Sequence, residues 1–152
     1  MSSTDNSRAA VSDLLNGLLA NSFALYMKTK NFHWHVTGPQ FRDLHLLFDE
    51  QAGQILAISD LVAERARKLG SATLTSIGSI AARQTITDSD DVGIGAIAMV
   101  RELADDNRRL VEQLVALKEA ADAASDIATS ALVDGWVDEA EQRIWFLTAT
   151  QQ

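Results

Sequence analysis

All three histidines of the chain, His33, His35 and His45, fall in the stretch from Lys30 to Glu64, together with Asp49, Asp60 and Glu64. Imidazole nitrogen and carboxylate oxygen are the side-chain atoms that hold iron or zinc. The chain has no cysteine, which removes disulfides, thiolate catalysis, zinc ribbons and iron–sulfur clusters and leaves nitrogen and oxygen as the donors for any metal. A cysteine-free chain also suits exposure to peroxide. The formal charge of −8 favours partners that are cations and disfavours a general affinity for DNA or anionic membranes. Metal binding is thus the chemistry open to this stretch.

The elements that must position these side chains follow from hydrophobic spacing. From Ser7 to Val36, apolar residues such as Val11, Leu14, Leu15, Leu18, Leu25 and Phe32 recur at intervals of three and four, the pattern of an amphipathic helix. Thr37-Gly38-Pro39 stops it, and Pro39 is the sole proline. A second helix carries Phe41, Leu44, Phe48, Ile55, Ile58 and Val62 to about Lys68, with Gly70 beyond it. So short a connection makes these two helices antiparallel neighbours. Ser71 to Asp91 is rich in Ser, Thr and Gly, and a small patch at Ile77, Ile80 and Ala81 predicts one short helix in a crossover. A third long helix, capped by Asp90 or Asp91, runs to about Ala121, and a fourth starts near Ser125 and continues to the end. The expectation is all-α: a ferritin-like four-helix bundle with a short extra helix in its one long crossover, forming a single domain over residues 1–152 with a flexible lead of about residues 1–7. No apolar run reaches the roughly 18 residues of a membrane span, and the first residues lack a signal-peptide plan, so the expected location is cytoplasmic, without nucleoid association.

Bundles of this plan usually hold two irons in their centre through Glu-x-x-His pairs. This chain has no Glu-x-x-His, so a metal must sit elsewhere. With His45 at zero on the second helix, Asp49, Asp60 and Glu64 fall at about 40°, 60° and 100°, all on one face, but Asp60 lies roughly 22 Å along the axis and Glu64 roughly 28 Å. One chain cannot bring them onto one ion. His45 with Glu64, and Asp49 with Asp60, share a midpoint between Gln54 and Ile55, so two such helices paired about a two-fold axis would set His45 and Asp49 of one copy against Glu64 and Asp60 of the other. His33, across the turn from His45, can join. Ala52, Gly53 and Ala57 near the midpoint are small enough for close approach. The alternatives are an exposed ion pair for Asp60 or Glu64 with Arg65 or Arg67, and a core role for His33. His35, two residues from His33, faces another side of its helix and reads as structural or as an accessory ligand.

Asn31-Phe32-His33-Trp34, then Gly38, Phe41, His45 and Asp49, and finally Asp60 with Ala63-Glu64-Arg65, resembles the signature of the Dps family, the mini-ferritins or DNA-binding proteins from starved cells. The bundle plan and Trp145 extend the likeness over nearly the whole chain. The resemblance implies a hollow homododecamer with a ferroxidase centre at each two-fold interface, where His33, His45 and Asp49 come from one subunit and Asp60 and Glu64 from its mate. It implies oxidation of Fe(II), preferably by hydrogen peroxide, and storage of the ferric mineral, with zinc as a substitute metal. It also implies an iron-admitting pore near the start of the last helix, for which Asp122, Asp126 and Asp134 are the candidates; Ala131 stands where many members have a carboxylate, and Asp126 is equally placed to cap the helix. DNA binding is expected to be weak or absent. The first ten residues hold only Arg8 against Asp5, the last five hold no base, and twelve chains would carry roughly −96. The competing reading is a nucleoid-associated, DNA-protecting shell in which metal is only structural; a third is a shell whose second-helix residues form interface ion pairs.

Overall fold

The structure, a computed structural model, describes residues 2–152. Among these residues there are five helices and no strand: α1 (Ser3–His35), α2 (Phe41–Lys68), α3 (Ile77–Arg83), α4 (Ala96–Ala123) and α5 (Ile127–Ala149). No helix in this span is long and apolar enough to cross a membrane.

Helix α1 starts four residues before the hydrophobic pattern does, inside the segment expected to be flexible; Met1 lies outside the described residues. Ser2 Oγ accepts from the Asp5 backbone N–H while the Asp5 carboxylate accepts from Ser2 N, a reciprocal cap that favours the helical first turn by about 1 kcal/mol. The first turns expose most of their residues to water, so no apolar period marks them. At the other end, the Val36 N–H bonds to Phe32 O and Gly38 takes φ +105°, which lets the chain reverse into α2. Gly70, at φ +90°, does the same after α2.

The core is one continuous cluster that includes Leu18, Leu25 and Phe32 of α1, Phe48, Ile55 and Val62 of α2, Leu103, Leu110 and Leu114 of α4, and Val133, Trp136 and Leu147 of α5. The crossover is fixed to this core by one buried amide. Asn21 accepts from the N–H groups of Thr85 and Ile86 and donates to Thr85 Oγ1 and to Gln113 of α4, so all its capacity is used. Helix α3 is held against α1 by Arg83, which reaches both the carbonyl and the carboxylate of Asp13.

Helix α4 begins at Ala96, past the expected caps Asp90 and Asp91. Its cap is Gly95, with no side-chain bond, because Asp91 is engaged in its own turn, accepting from Gly93 N at 2.9 Å. Helix α5 starts as expected, capped by Asp126.

Two cationic side chains, Arg143 and Lys28, are buried in the bundle. Arg143 is 1% exposed, donates from Nε to Asn107 at 2.7 Å and makes no ion pair within 4 Å among the described residues. Burial depresses its pKa to about 10, which leaves it cationic at neutral pH. Nearer α1, Lys28 is buried between Asp106 at 2.8 Å and Glu102 at 3.2 Å and also bonds Thr87 O. These side chains hold helices together, and the fixed charge of Arg143 repels a cation from the centre.

Candidate metal centre

His33 sits in the last turn of α1 and His45 in the second turn of α2, so the five-residue reversal at Val36–Gln40 brings them side by side. Their rings stack at 3.9 Å with planes 13° apart. Each ring is anchored to the other residue's backbone: His33 Nδ1 donates to His45 O at 2.6 Å, and His45 Nδ1 to His33 O at 2.7 Å. A carbonyl only accepts, so both Nδ1 atoms carry hydrogen, and in the neutral rings both Nε2 atoms keep a free lone pair. Such anchoring by a backbone carbonyl orients a metal-binding histidine and fixes its tautomer. Phe41 continues the stack, 5.1 Å from the His45 ring.

Asp49, one turn beyond His45, places Oδ1 3.8 Å from His33 Nε2. The same oxygen accepts from Lys30 Nζ at 2.7 Å. The Lys30 bond, with the nearby imidazoles, holds the Asp49 carboxyl below the ordinary carboxylate range, against a smaller opposing effect of burial. Lys30 was not among the residues singled out from sequence. It lies 19 positions from Asp49 on a different helix, and only the packing of α1 on α2 joins them.

Asp60 and Glu64 are exposed on α2 and have no hydrogen-bond or ion-pair partner among the described residues. Their expected alternative partners are engaged elsewhere: Arg65 bonds Thr129 and Asp126, and Arg67 bonds Ser71 O. Gly53, Leu56, Ala57 and Leu61, along the same outer stretch, are exposed too, and a Cβ on Gly53 would meet nothing within 4 Å. His35 is exposed, with Nδ1 on Asn31 of its own helix. Two imidazole nitrogens and one carboxylate fit a divalent metal in kind but fall short in number. No set of three or more histidine or acidic side chains among the described residues is placed to hold an ion by itself.

The three pore candidates do gather. Asp122, Asp126 and Asp134 line one hollow of about 500 Å³ with Lys118, Ser130 and Ala131. Each carboxylate already has a partner: Asp122 accepts from Ser130 Oγ, Asp126 caps α5 through Thr129 N and pairs with Arg65, and Asp134 pairs with Lys118 at 2.7 Å.

A five-helix bundle with a long crossover and a histidine–carboxylate corner on its surface is the form of a ferritin-like protein, and the family model described as Ferritin-like domain matches residues 12–152. A DNA protection during starvation protein of Brevibacillus brevis is 33% identical over 139 residues, covering 91% of this chain and 93% of the relative. The crystal structure of Dps from Thermosynechococcus elongatus superposes with a TM-score of 0.95 at 29% identity, covering 99% and 96% of the two chains. A Vibrio cholerae Dps protein, described as a member of a broad superfamily of ferritin-like diiron-carboxylate proteins, gives 0.92 at 28% identity over 97% and 92%. The chain belongs to the Dps family of ferritin-like proteins.

Proposed function

We propose that this protein is a ferroxidase and iron store that works at sites between subunits. His33, His45 and Asp49 of one subunit and Asp60 and Glu64 of its mate would together form each centre, with α2 packed on α2 about a two-fold axis and twelve subunits closing a hollow shell. The observation that carries the reading is the asymmetry along α2: at one end His45 and Asp49 stand with His33 of α1, both rings with locked tautomers and free Nε2 atoms, and at the other end are two bare carboxylates. The small, apolar stretch at Gly53, Leu56 and Ala57 between them supports close approach of a second α2.

The substrate is Fe(II), and a carboxylate-rich centre with few imidazoles favours the harder Fe(III) product. With hydrogen peroxide as oxidant, two Fe(II), one peroxide and two protons give two Fe(III) and two waters. Each iron loses one electron, and no hydroxyl radical leaves. Zinc would compete for the same donors without turning over. Within this scheme the chain's own groups hold and orient the metal: the carbonyl-anchored rings present Nε2, and Asp49 supplies the adjoining oxygen. The ferric product would be stored as mineral inside the shell, and Asp122, Asp126 and Asp134 would line the way in. The protein would act in the cytoplasm and protect DNA by consuming Fe(II) and peroxide, with little binding to DNA itself, in keeping with its negative charge.

Anaerobic addition of Fe(II), followed by peroxide, tests the reading. Rapid ferric absorbance in the wild type, lost in a His33→Ala/Asp60→Ala double variant, is the expected result, and wild-type rates no faster than buffer would overturn it. A gel shift at about 150 mM salt should show no retained DNA.

A further inference from the structure

A hollow of about 500 Å³ lies between the start of α2 and the end of α5, with Leu46 and Leu47 on one wall and Trp145 and Phe146 on the other. The two aromatic rings meet edge to face at 4.9 Å, yet Trp145 is 64% exposed. Asp43 and Glu50 also line the hollow, and neither has a hydrogen-bond or ion-pair partner among the described residues. Apolar walls beside bare carboxylates are complementary to an apolar side chain that has a cation near it. Helix α2 itself carries such a pair. Leu61 is 45% exposed, and Lys68 is exposed with no acidic partner among the described residues. Counting about 100° per residue from His45, Asp43 and Leu61 fall at about 160°, and Glu50 and Lys68 at about 140°, a single stripe beside the face of His45, Asp49, Asp60 and Glu64. The stripe runs along the α5 side, because Arg65, at about 200°, bonds Thr129 and Asp126. Within one chain Leu61 lies roughly 17 Å along the axis from Glu50, and Lys68 roughly 38 Å from Asp43. A two-fold axis through the midpoint at Gln54 and Ile55 changes this: the partner subunit's Leu61 comes level with Phe48 and the partner subunit's Lys68 with Phe41, each within about 3 Å along the axis of Glu50 and Asp43.

We infer that the hollow between α2 and α5 is a socket for a second copy of this chain: it takes the partner subunit's Leu61 against Leu47 and Trp145, and Asp43 pairs with the partner subunit's Lys68. The socket rests on the α2 pairing of the proposed centre and gives that pairing its register. Leu61 stands between Asp60 and Glu64 in the sequence, so seating it holds the turn that carries both carboxylates. A slip of one helical turn, about 5.4 Å, would lift Leu61 out of the socket and move both carboxylates away from His45 and Asp49. The hollow supplies no metal ligand, yet from across the interface it sets where half of the ligands stand. Leu61 and Lys68 are thus positioning residues for the centre, and Trp145 is the wall on which the positioning is made.

Because the chain has no cysteine, paired cysteines test the placement in the metal-free, assembled protein. Glu50→Cys/Leu61→Cys should give a covalent dimer on mild oxidation, seen on a non-reducing gel, since the two positions are too far apart to close within one chain. Asp49→Cys/Asp60→Cys, level with each other across the same axis, reports the α2 pairing alone. Cross-linking of the second pair without the first would overturn the socket, give the hollow to another occupant and leave the metal centre standing. Cross-linking of neither would remove the α2 pairing and the socket together. In the cysteine-free chain, Asp43→Lys and Lys68→Asp should each slow peroxide-driven Fe(II) oxidation by about threefold or more, and the two combined should restore it. Trp145 emission, read as the difference from Trp145→Phe, should be shielded from iodide in the wild type and quenched in Leu61→Ser. A double charge variant slower than either single one, or Trp145 quenched as readily in the wild type as in Leu61→Ser, would overturn the socket.

Discussion

At the α1–α2 reversal, Asp49 stands beside the free Nε2 of His33, whose ring is stacked on His45, and is held by one lysine. At the α4–α5 reversal, Asp122, Asp126 and Asp134 crowd a single hollow, yet each is tied to a hydroxyl, a helix end, an arginine or a lysine. Both corners read as places for iron in the sequence, one as a metal centre and the other as a way in. The first keeps donors in hand for a ligand, while much of the acidity of the second goes into holding α5 to α2 and α4. Counting carboxylates therefore does not locate a metal centre; the partners each one already has decide the matter.

The sharpest way to break this contrast is at the bare pair. Asp60→Ala combined with Glu64→Ala should reduce peroxide-driven Fe(II) oxidation to the buffer rate. Thermal stability should move by no more than about 0.5 kcal/mol, since neither carboxylate has an intrachain partner. Ferric absorbance and a melting curve on one preparation read both. Asp126→Ala should do the reverse. It removes the α5 cap and the ion pair with Arg65, so a loss of about 1–2 kcal/mol is expected in denaturant unfolding, with the initial oxidation rate at saturating iron retained. Beside it, Ser125 sits at φ +55°, between the end of α4 and the cap of α5. Ser125→Gly relieves a left-handed side chain and should raise stability by up to about 1 kcal/mol without touching either corner's ligands.

The smallest effect concerns a carboxylate committed inside the bundle. Burial raises the Asp106 pKa above its ordinary 3.8, against the pull of Lys28 and Arg109. The folded state thus binds this proton more readily than the unfolded chain. Its contribution is present below pH 3.8 and is lost as pH rises through the raised folded value. The melting temperature of Asp106→Asn, measured against wild type from pH 3 to pH 7, should accordingly shift upward relative to wild type as pH rises. A difference that moves the other way would mean that Lys28 outweighs burial.

Much of the fold is legible because the backbone leaves local marks. Gly38 and Gly70 both adopt the positive φ that a helix-ending glycine permits, and the 3–4 spacing of Val11, Leu15 and Leu18 is part of the buried stripe of α1. The start of α1 is hidden because Ser2 and Asp5 make a cap in a segment without apolar period, and the start of α4 because Asp91 satisfies a turn of its own. In the centre, His33, His45 and Asp49 come together as spacing and helix geometry require, while Asp60 and Glu64 stay apart in one chain for the same reason. Lys30 is a matter of tertiary packing, and no local pattern distinguishes it from Lys28, the other lysine of α1, which is buried against Asp106 and Glu102.

The carbonyl of His33 belongs to the last turn of α1, where helix geometry leaves oxygens without a partner, and the His45 ring closes it. A side chain that in the proposed centre would offer one nitrogen to a metal ties off a helix with the other. A tug on Nε2 is transmitted to the end of α1 through a single rigid ring, so the amide protons of that last turn should exchange with solvent at a rate that depends on whether the centre is filled. Hydrogen exchange there would report occupancy from the backbone alone, with no need for a coloured metal.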